Sequence, residues 1–287
     1  MKTLLVISGK GGTGKTIITG SLAVLADNKI MVDCDVDAAD LHLLLHPTIR
    51  ESHEFRSGQT AVINKALCQE CGKCRDVCRF SAVKPDFVVE SFSCEGCGLC
   101  QRVCPHGAIT MKENLAGEWF VSDTRYGLFV HAKLGIAEEN SGKLVAKIRQ
   151  VAKELGEKNA CDYVIIDGPP GIGCPVIASL SGVDLAVAVT EPTVSGLHDL
   201  KRVLEIAGQF RIKIQVVINK HDLNPGNTAK VRDFCVQRNI EVLGGIPFSP
   251  DIPKSIVKGV PPVEFIDNEA TASIKTIWSK IRTYLKE

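Results

Sequence analysis

Short unbroken runs of apolar residues punctuate this chain, most of them leading into stretches where apolar residues recur at helical spacing. Leu4-Leu5-Val6-Ile7 is the first run, and Lys29-Ile30-Met31-Val32, Tyr163-Val164-Ile165-Ile166, Leu185 to Val189 and Ile214 to Ile218 repeat it. Runs this short, with no polar alternation, predict buried strands such as a parallel sheet contains. Helices are predicted after Thr16 (Ile17, Leu22, Leu25), over Asp37 to Leu45 and over Ala270 to Leu285. Another runs from an N-cap at Ser141 to Leu155, with apolar residues at 144, 145, 148, 151 and 152. Glu118 to Val121 and Leu128 to His131 read as further strands, whereas Arg50 to Gly58 is polar and reads as a link. The alternation predicts an α/β fold built on a doubly wound, mostly parallel sheet.

That pattern fails between about Ala61 and Met111, where cysteines stand at 68, 71, 74 and 78 and again at 94, 97, 100 and 104. Each set is C-x2-C-x2-C-x3-C, an internal repeat flanked by β-like Ala61 to Ile63 and Ala108 to Thr110. The organisation predicted is a sheet domain over 1–58 and 115–287 with a small α+β ferredoxin-like module over 59–114 inserted after the second strand. At 287 residues the chain can bury a sizeable core, and a formal net charge of +1 excludes a general attraction to nucleic acid or anionic membrane. The apolar start from Met1 to Val6 is too short for a signal peptide, and nothing resembles a transmembrane span. A cytoplasmic location is therefore expected, where thiols stay reduced and 12 cysteines point to metal rather than disulfides.

Two sets of residues carry chemistry. Ser8-Gly9-Lys10-Gly11-Gly12-Thr13-Gly14-Lys15-Thr16 follows the first strand and opens a helix, the context in which G-x-x-x-x-G-K-[ST] binds phosphate. Gly11, Gly12, Thr13 and Gly14 would wrap backbone N–H groups around the nucleotide's phosphates at the positive end of the helix dipole. Lys15 would reach the β- and γ-phosphates, and the Thr16 hydroxyl would ligate Mg²⁺. Asp33, Asp35 and Asp37 end the second strand and Asp167 ends another, at the edge where open α/β sheets bind ligands. Asp37 reads equally well as a helix N-terminal acid. As for the cysteines, thiolates are soft, charged donors that suit iron, and Gly72, Gly96 and Gly98 permit the tight wrapping that a cluster needs. Structural zinc is the competing reading, although it requires neither the third cysteine of each set nor Pro105. Cys161 and Cys235 read as small buried hydrophobes; Cys34 and Cys174 are open to responding to nucleotide or transiently holding iron or a cluster.

Taken with Lys10, Asp33-Cys34-Asp35 and Asp167-Gly168-Pro169-Pro170-Gly171, the chain resembles along nearly its whole length a MinD/ParA-type (Mrp-related) P-loop ATPase with an inserted two-cluster ferredoxin. The resemblance implies a homodimer, or a heterodimer with a related ATPase, in which ATP is bound face to face and Lys10 reaches the partner's phosphates. It implies ATP/ADP and Mg²⁺ as cofactors, with Thr16, Asp33 and Asp167 at the metal and Asp35 orienting the attacking water. Lys10, Lys15 and Asp35 are thereby the catalytic candidates. Asn219 would recognise adenine, Pro247 would lie in the loop closing over it, and Thr190 to Ser195 would lie near the dimer face; turn chemistry alone also accounts for these residues. The ferredoxin pattern implies two [4Fe–4S] clusters with exchanged fourth ligands: Cys68, Cys71, Cys74 and Cys104 on one, Cys78, Cys94, Cys97 and Cys100 on the other. One departure is Arg79, where the pattern has a proline after the fourth cysteine.

The function so implied is an ATP-hydrolysing iron–sulfur protein whose switched dimer is coupled to electron transfer. The alternatives are a cluster carrier or metalloenzyme-maturation ATPase and a MinD-like positioning or regulatory ATPase. The expected partner is a redox protein or an apo-metalloprotein, with no nucleic acid. Membrane association is not expected, because the last helix has few basic residues and its apolar face should pack on the sheet. The polar segment Glu138-Glu139-Asn140-Ser141-Gly142 has no assigned chemistry beyond capping by Ser141.

Overall fold

The computed structural model of the chain describes residues 1–135 and 141–286; Glu138, Glu139 and Asn140 of the unassigned polar segment lie outside the described residues. Two compact units result: one comprises Met1–His53, Trp119–Lys133 and Ser141–Glu287, the other Glu54–Glu118 and Leu134–Asn140, somewhat wider than the 59–114 window.

The strands are β1 (Lys2–Ser8), β2 (Lys29–Asp33), β3 (Thr48–Ile63), β4 (Ile109–Thr124), β5 (Gly127–Leu134), β6 (Tyr163–Pro170), β7 (Leu185–Thr190), β8 (Ile214–Asn219) and β9 (Val242–Ile246). They form a nine-stranded sheet in the order β3-β4-β5-β2-β6-β1-β7-β8-β9. The pairings from β5 through β9 are parallel. β4 and β5 are joined by Arg125 and Tyr126 alone, a connection short enough only for an antiparallel pair.

The helices are α1 (Lys15–Leu25), α2 (His42–Leu45), α3 (Lys73–Asp76), α4 (Leu99–Val103), α5 (Ser141–Lys158) and α6 (Cys174–Leu180), followed by α7 (Val194–Gln209), α8 (Pro225–Gln237), α9 (Ile252–Val257), α10 (Pro262–Phe265) and α11 (Glu269–Lys286). α1 and α11 cover one face, where Leu4, Val6, Met31, Ile165 and Val187 share a core with Ile18, Leu22, Ile274 and Ile281. The alternate strand residues Leu5, Ile7, Ile30 and Ile166 are equally buried and face the side carrying α5, α6 and α7. Double coverage is why these strands read as continuous apolar runs.

Three expectations need correction. The helix predicted from Asp37 begins only at His42, because the Asp33 carboxylate accepts the backbone N–H groups of Asp35 (3.0 Å) and Leu41 (3.2 Å) and holds the intervening residues as a loop. Asp37 is therefore no helix N-terminal acid. The supposed link Arg50 to Gly58 is strand, part of β3, an edge strand exposed along most of its length and so lacking an apolar period. The short pieces at 108–110 and 118–121 are not separate strands: apart from Ala108, which precedes it, both fall within one 16-residue strand, β4.

The apolar face of α11 is spent on packing: Ile274, Ile277, Trp278, Ile281 and Leu285 are buried, and Trp278 Nε1 donates to the Leu25 carbonyl at 3.0 Å while its ring meets Tyr163 edge-on at 5.6 Å. Among the described residues no helix is long and apolar enough to cross a membrane. In the second unit the core is small. Ala61, Cys74, Val83, Phe87 and Ile109 form it, and Cys68, Cys78, Cys94, Cys100 and Cys104 pack against it, so sulfur supplies much of the interior.

His131 on β5 lies between Phe129 (4.6 Å) and Phe120 (5.1 Å), its Nε2 2.9 Å from Ser122 Oγ. Burial, and secondarily the charge of His42, lowers its pKa to about 4. The unfolded chain therefore binds the proton first, and the stability contributed by the neutral ring is lost as pH falls from the unfolded pKa of about 6.5 towards the folded one. Chemical denaturation at pH 7 and pH 5 should show a loss of about 2 kcal/mol that His131→Phe removes; an equal loss in both proteins would show that His131 is not its source.

Candidate functional site

β1 delivers the chain into the glycine loop at the centre of the sheet, and the loop is shaped by two glycines with left-handed backbone, Gly12 (φ 78°) and Gly14 (φ 91°). Gly14 also has no room for a side chain, since a Cβ there would lie 2.3 Å from Asn219 Nδ2. α1 starts at Lys15 directly behind it, so the helix N-terminus points its free N–H groups into the loop. The Thr13 hydroxyl is buried with no hydrogen-bond partner, a donor that a bound phosphate or nucleotide would satisfy.

Strand register assembles the acidic side of the site. Asp33 pairs with Asp167 across β2 and β6, and Asp167 pairs with Val6 across β6 and β1, so both carboxylates stand beside the glycine loop. Lys15 Nζ lies 3.1 Å from Asp167 Oδ2 and 3.8 Å from Asp35 Oδ2. Asp167 is filled on both oxygens: Thr16 Oγ1 donates to Oδ2 at 2.7 Å and Thr19 Oγ1 to Oδ1 at 2.8 Å. Thr19 was not foreseen from sequence. One turn past Lys15 on α1, with its side chain on the same face, is the only signal that could have found it.

Electrostatics make this a site that wants a cation. Asp33, Asp35 and Asp167 face a single lysine. Burial alone would lower the pKa of Lys15, but Asp167, Asp33 and Asp35 together raise it above its ordinary value. Asp33 is pushed well above the carboxylate range by burial and by Asp167, and Asp35 is pushed up to about 6 by burial against the pull of Lys15. A hard divalent ion with oxygen ligands would relieve this excess of negative charge, and Thr16, Asp33 and Asp167 are the donors beside the loop that suit it.

Next to the loop opens a cavity of about 200 Å³ lined by Gly12, Gly14, Ile17, Asn219, Pro247 and Phe248. Asn219 and Ile246 are in register on β8 and β9, which brings the two expected base-contacting segments together. The Asn219 amide is partly committed: Nδ2 donates to the Thr13 carbonyl at 2.9 Å, and Oδ1 accepts from Lys220 N at 3.0 Å. It pins the phosphate loop, leaving one amide hydrogen and one lone pair for a base. Asp222, also unforeseen, accepts the Phe248 N–H at 2.7 Å and holds the second segment. Lys10 is a third exposed; its Nζ lies 3.0 Å from Ser195 Oγ and 4.0 Å from Glu191, which also pairs with Lys220 at 2.6 Å. Reaching a partner chain would mean leaving these contacts.

The eight repeat cysteines gather at two cavities in the second unit. One is lined by Cys68, Cys71, Cys74 and Cys104, and the other by Cys78, Cys94, Cys97 and Cys100. Gly96 in the second loop has φ 63° and runs so close to Gln59 that a Cβ would meet its carbonyl at 2.4 Å. Among the described residues no three His, Cys, Asp or Glu side chains converge tightly enough for a single metal ion. The donor set, four thiolates spaced around a cavity, fits instead a group with several metal corners. Of the other cysteines, Cys34 is wholly buried and its thiol pKa is pushed far up by that burial, Cys235 is buried, and Cys174 is exposed at the start of α6.

A sequence profile described as the CobQ/CobB/MinD/ParA nucleotide-binding domain matches residues 4–263. An uncharacterized protein of Methanocaldococcus jannaschii is 33% identical over 98% of this chain and 97% of its own length. The septum site-determining protein MinD of Bacillus subtilis is 23% identical over 98% of this chain and 88% of its own. Among solved structures, the septum site-determining protein MinD of Pyrococcus horikoshii, complexed with Mg-ADP, superposes with a TM-score of 0.60 at 16% identity, covering 98% of this chain and 95% of that one. With the phosphate loop at the end of β1 and the carboxylates in register beside it, the chain belongs to the CobQ/CobB/MinD/ParA family of P-loop nucleotide-binding proteins, as a MinD/ParA-type ATPase.

Proposed function

We propose that this protein is an ATP-hydrolysing switch whose closed dimer is coupled to electron transfer by two [4Fe–4S] clusters held in the second unit. The observation that carries the iron–sulfur part is the sorting of eight cysteines into two cavities, each lined by three cysteines of one repeat and the fourth of the other. The small core of the second unit also supports it, since so little apolar burial seldom holds a unit of this size without a staple. When bound, such clusters supply one-electron storage; Cys68, Cys71, Cys74 and Cys104 would hold one and Cys78, Cys94, Cys97 and Cys100 the other.

At the phosphate loop the chain's own groups fall into roles. Phosphoryl transfer needs positive charge on the phosphate oxygens and a placed water rather than covalent chemistry. Lys15 and the N–H groups of Gly11 to Thr16 supply the first, joined by Lys10 from the partner chain, and Mg²⁺ would be held by Thr16, Asp33 and Asp167. Asp35 would orient the water: it is only partly buried, lies 3.8 Å from Lys15 and, unlike Asp167, is not bound by threonine hydroxyls. Asn219 and Pro247 would border adenine in the adjoining cavity.

A MinD-like positioning role is the second reading, favoured by the MinD relatives. The packed face of α11 counts against a membrane-bound version of it, because that face is not free to insert. Cluster delivery to an apo-target ranks behind retention, since each cavity offers a complete set of four thiols.

ATP affinity measured anaerobically on chemically reduced and oxidised protein should differ, whereas clusters should remain through many turnovers. Loss of clusters to an acceptor during turnover would favour delivery, and activation by lipid or DNA with no redox dependence would favour positioning. Lys15→Ala should lower ATP hydrolysis about a hundredfold or more while leaving iron content unchanged; Cys71→Ser should do the reverse, lowering iron and leaving ATP binding intact. Lys10→Ala hydrolysing ATP as fast as the parent would exclude a role for that lysine across the dimer. Thr19→Val should raise the Mg²⁺ concentration needed for half-maximal activity about tenfold, with Thr19→Ser restoring it; an unchanged Mg²⁺ requirement would make Thr19 a packing residue only.

A further inference from the structure

The two halves of the cysteine repeat align residue by residue, so the two cavities can be compared at matched positions. Cys68-Gln69-Glu70-Cys71-Gly72-Lys73-Cys74 aligns with Cys94-Glu95-Gly96-Cys97-Gly98-Leu99-Cys100, and Cys104-Pro105-His106 aligns with Cys78-Arg79-Phe80. Three matched pairs line the cavities: Gln69, Lys73 and His106 at the first, and Glu95, Leu99 and Phe80 at the second. All three differences run the same way. A neutral amide replaces a carboxylate, an ammonium replaces an isobutyl group, and an imidazole replaces a phenyl ring.

Two other matched pairs, Glu70 with Gly96 and Arg79 with Pro105, run the other way, with a carboxylate beside the first site and a guanidinium beside the second. Of these four residues only Gly96 lines a cavity, and it carries no charge. Backbone donation is also denser at the second site. Ala108 N donates to Cys104 Sγ at 3.4 Å in the first, and backbone N–H groups of residues 80 to 83 surround the Cys78 sulfur in the second. Against these, the side chains that line the cavities differ by two unit charges in favour of the first site.

We propose that these three side-chain pairs set the two sites at different reduction potentials, with Gln69, Lys73 and His106 making the Cys68/Cys71/Cys74/Cys104 site the better electron acceptor. The inference rests on the iron–sulfur reading above. Reduction adds one negative charge to a cluster, and the potential follows how well the surroundings accommodate that charge. Lys73 attracts it and the polar lining solvates it. Glu95 repels it, and Phe80 and Leu99 leave it poorly solvated. An electron that enters the second unit therefore comes to rest at the first site, and the second serves as the more strongly reducing one. Lys73 and Glu95 are exposed, so screening limits each to about a three- to tenfold change in the reduced-to-oxidised ratio at a fixed potential; tenfold corresponds to about 59 mV for one electron.

The test is a redox titration followed by electron paramagnetic resonance on the full chain, purified anaerobically. Cys71→Ser and Cys97→Ser assign the two midpoints by perturbing one site each. The first site should have the higher midpoint. Exchanging the matched side chains, with Gln69→Glu and Lys73→Leu at one site and Glu95→Gln and Leu99→Lys at the other, should bring the midpoints together or invert them. All four exchanged positions are exposed, so the exchange does not depend on the cysteine variants folding. A lower midpoint at the first site, or a spacing unchanged by the exchange, would overturn the proposal while leaving the iron–sulfur reading standing. Wild-type protein that binds neither iron nor sulfide after anaerobic reconstitution would overturn that reading, and the proposal with it.

Discussion

Asp167 is a buried carboxylate in the middle of the sheet, and the surrounding architecture answers the cost of placing it there. Taking an ion out of water costs several kcal/mol unless every lone pair finds a donor. Lys15, Thr16 and Thr19 provide those donors from one end of α1, which fixes the helix against β6 and sets where the glycine loop must turn. Asp33, in register on the next strand, brings a second buried carboxylate to the same place and in turn holds the loop from Cys34 to Leu41 through two backbone N–H groups. One lysine does not balance these carboxylates with Asp35 added, and burial, with Asp167 beside it, pushes Asp33 towards protonation. The site is thus preorganised and carries an excess of negative charge that a metal ion would offset.

Much of this was legible in the chain. β1, β2, β6, β7 and β8 are apolar runs because both of their faces are covered, and the glycine loop is readable because its chemistry needs fixed residues at fixed spacing. β3 was not legible: an edge strand exposed along most of its length carries no hydrophobic period and looks like a linker. The loop after β2 was mistaken for helix because the tertiary hydrogen bonds from Asp33 that override its local pattern come from outside that window. Thr19 and Asp222 were missed for the same reason, being ordinary residues given a role by what the fold places beside them.

The second unit is organised by a different constraint. Its strand pieces and two short helices enclose too little apolar area to define an interior alone, and cysteine sulfurs complete it. The same repeat that builds two similar cavities also varies the residues lining them, which is how one short sequence can produce two sites of unlike character. The proposed function couples the nucleotide site to the two cysteine-lined cavities, and linkage requires such a bias to act in both directions.

The most direct measurement of the proposed coupling is the midpoint potential of each proposed cluster in the anaerobically reconstituted full chain, determined without nucleotide, with MgADP and with a non-hydrolysable MgATP analogue. The account predicts that at least one midpoint shifts between the nucleotide-free and ATP-analogue states, and that the shift vanishes in Lys15→Ala. Midpoints identical in all three states would contradict it.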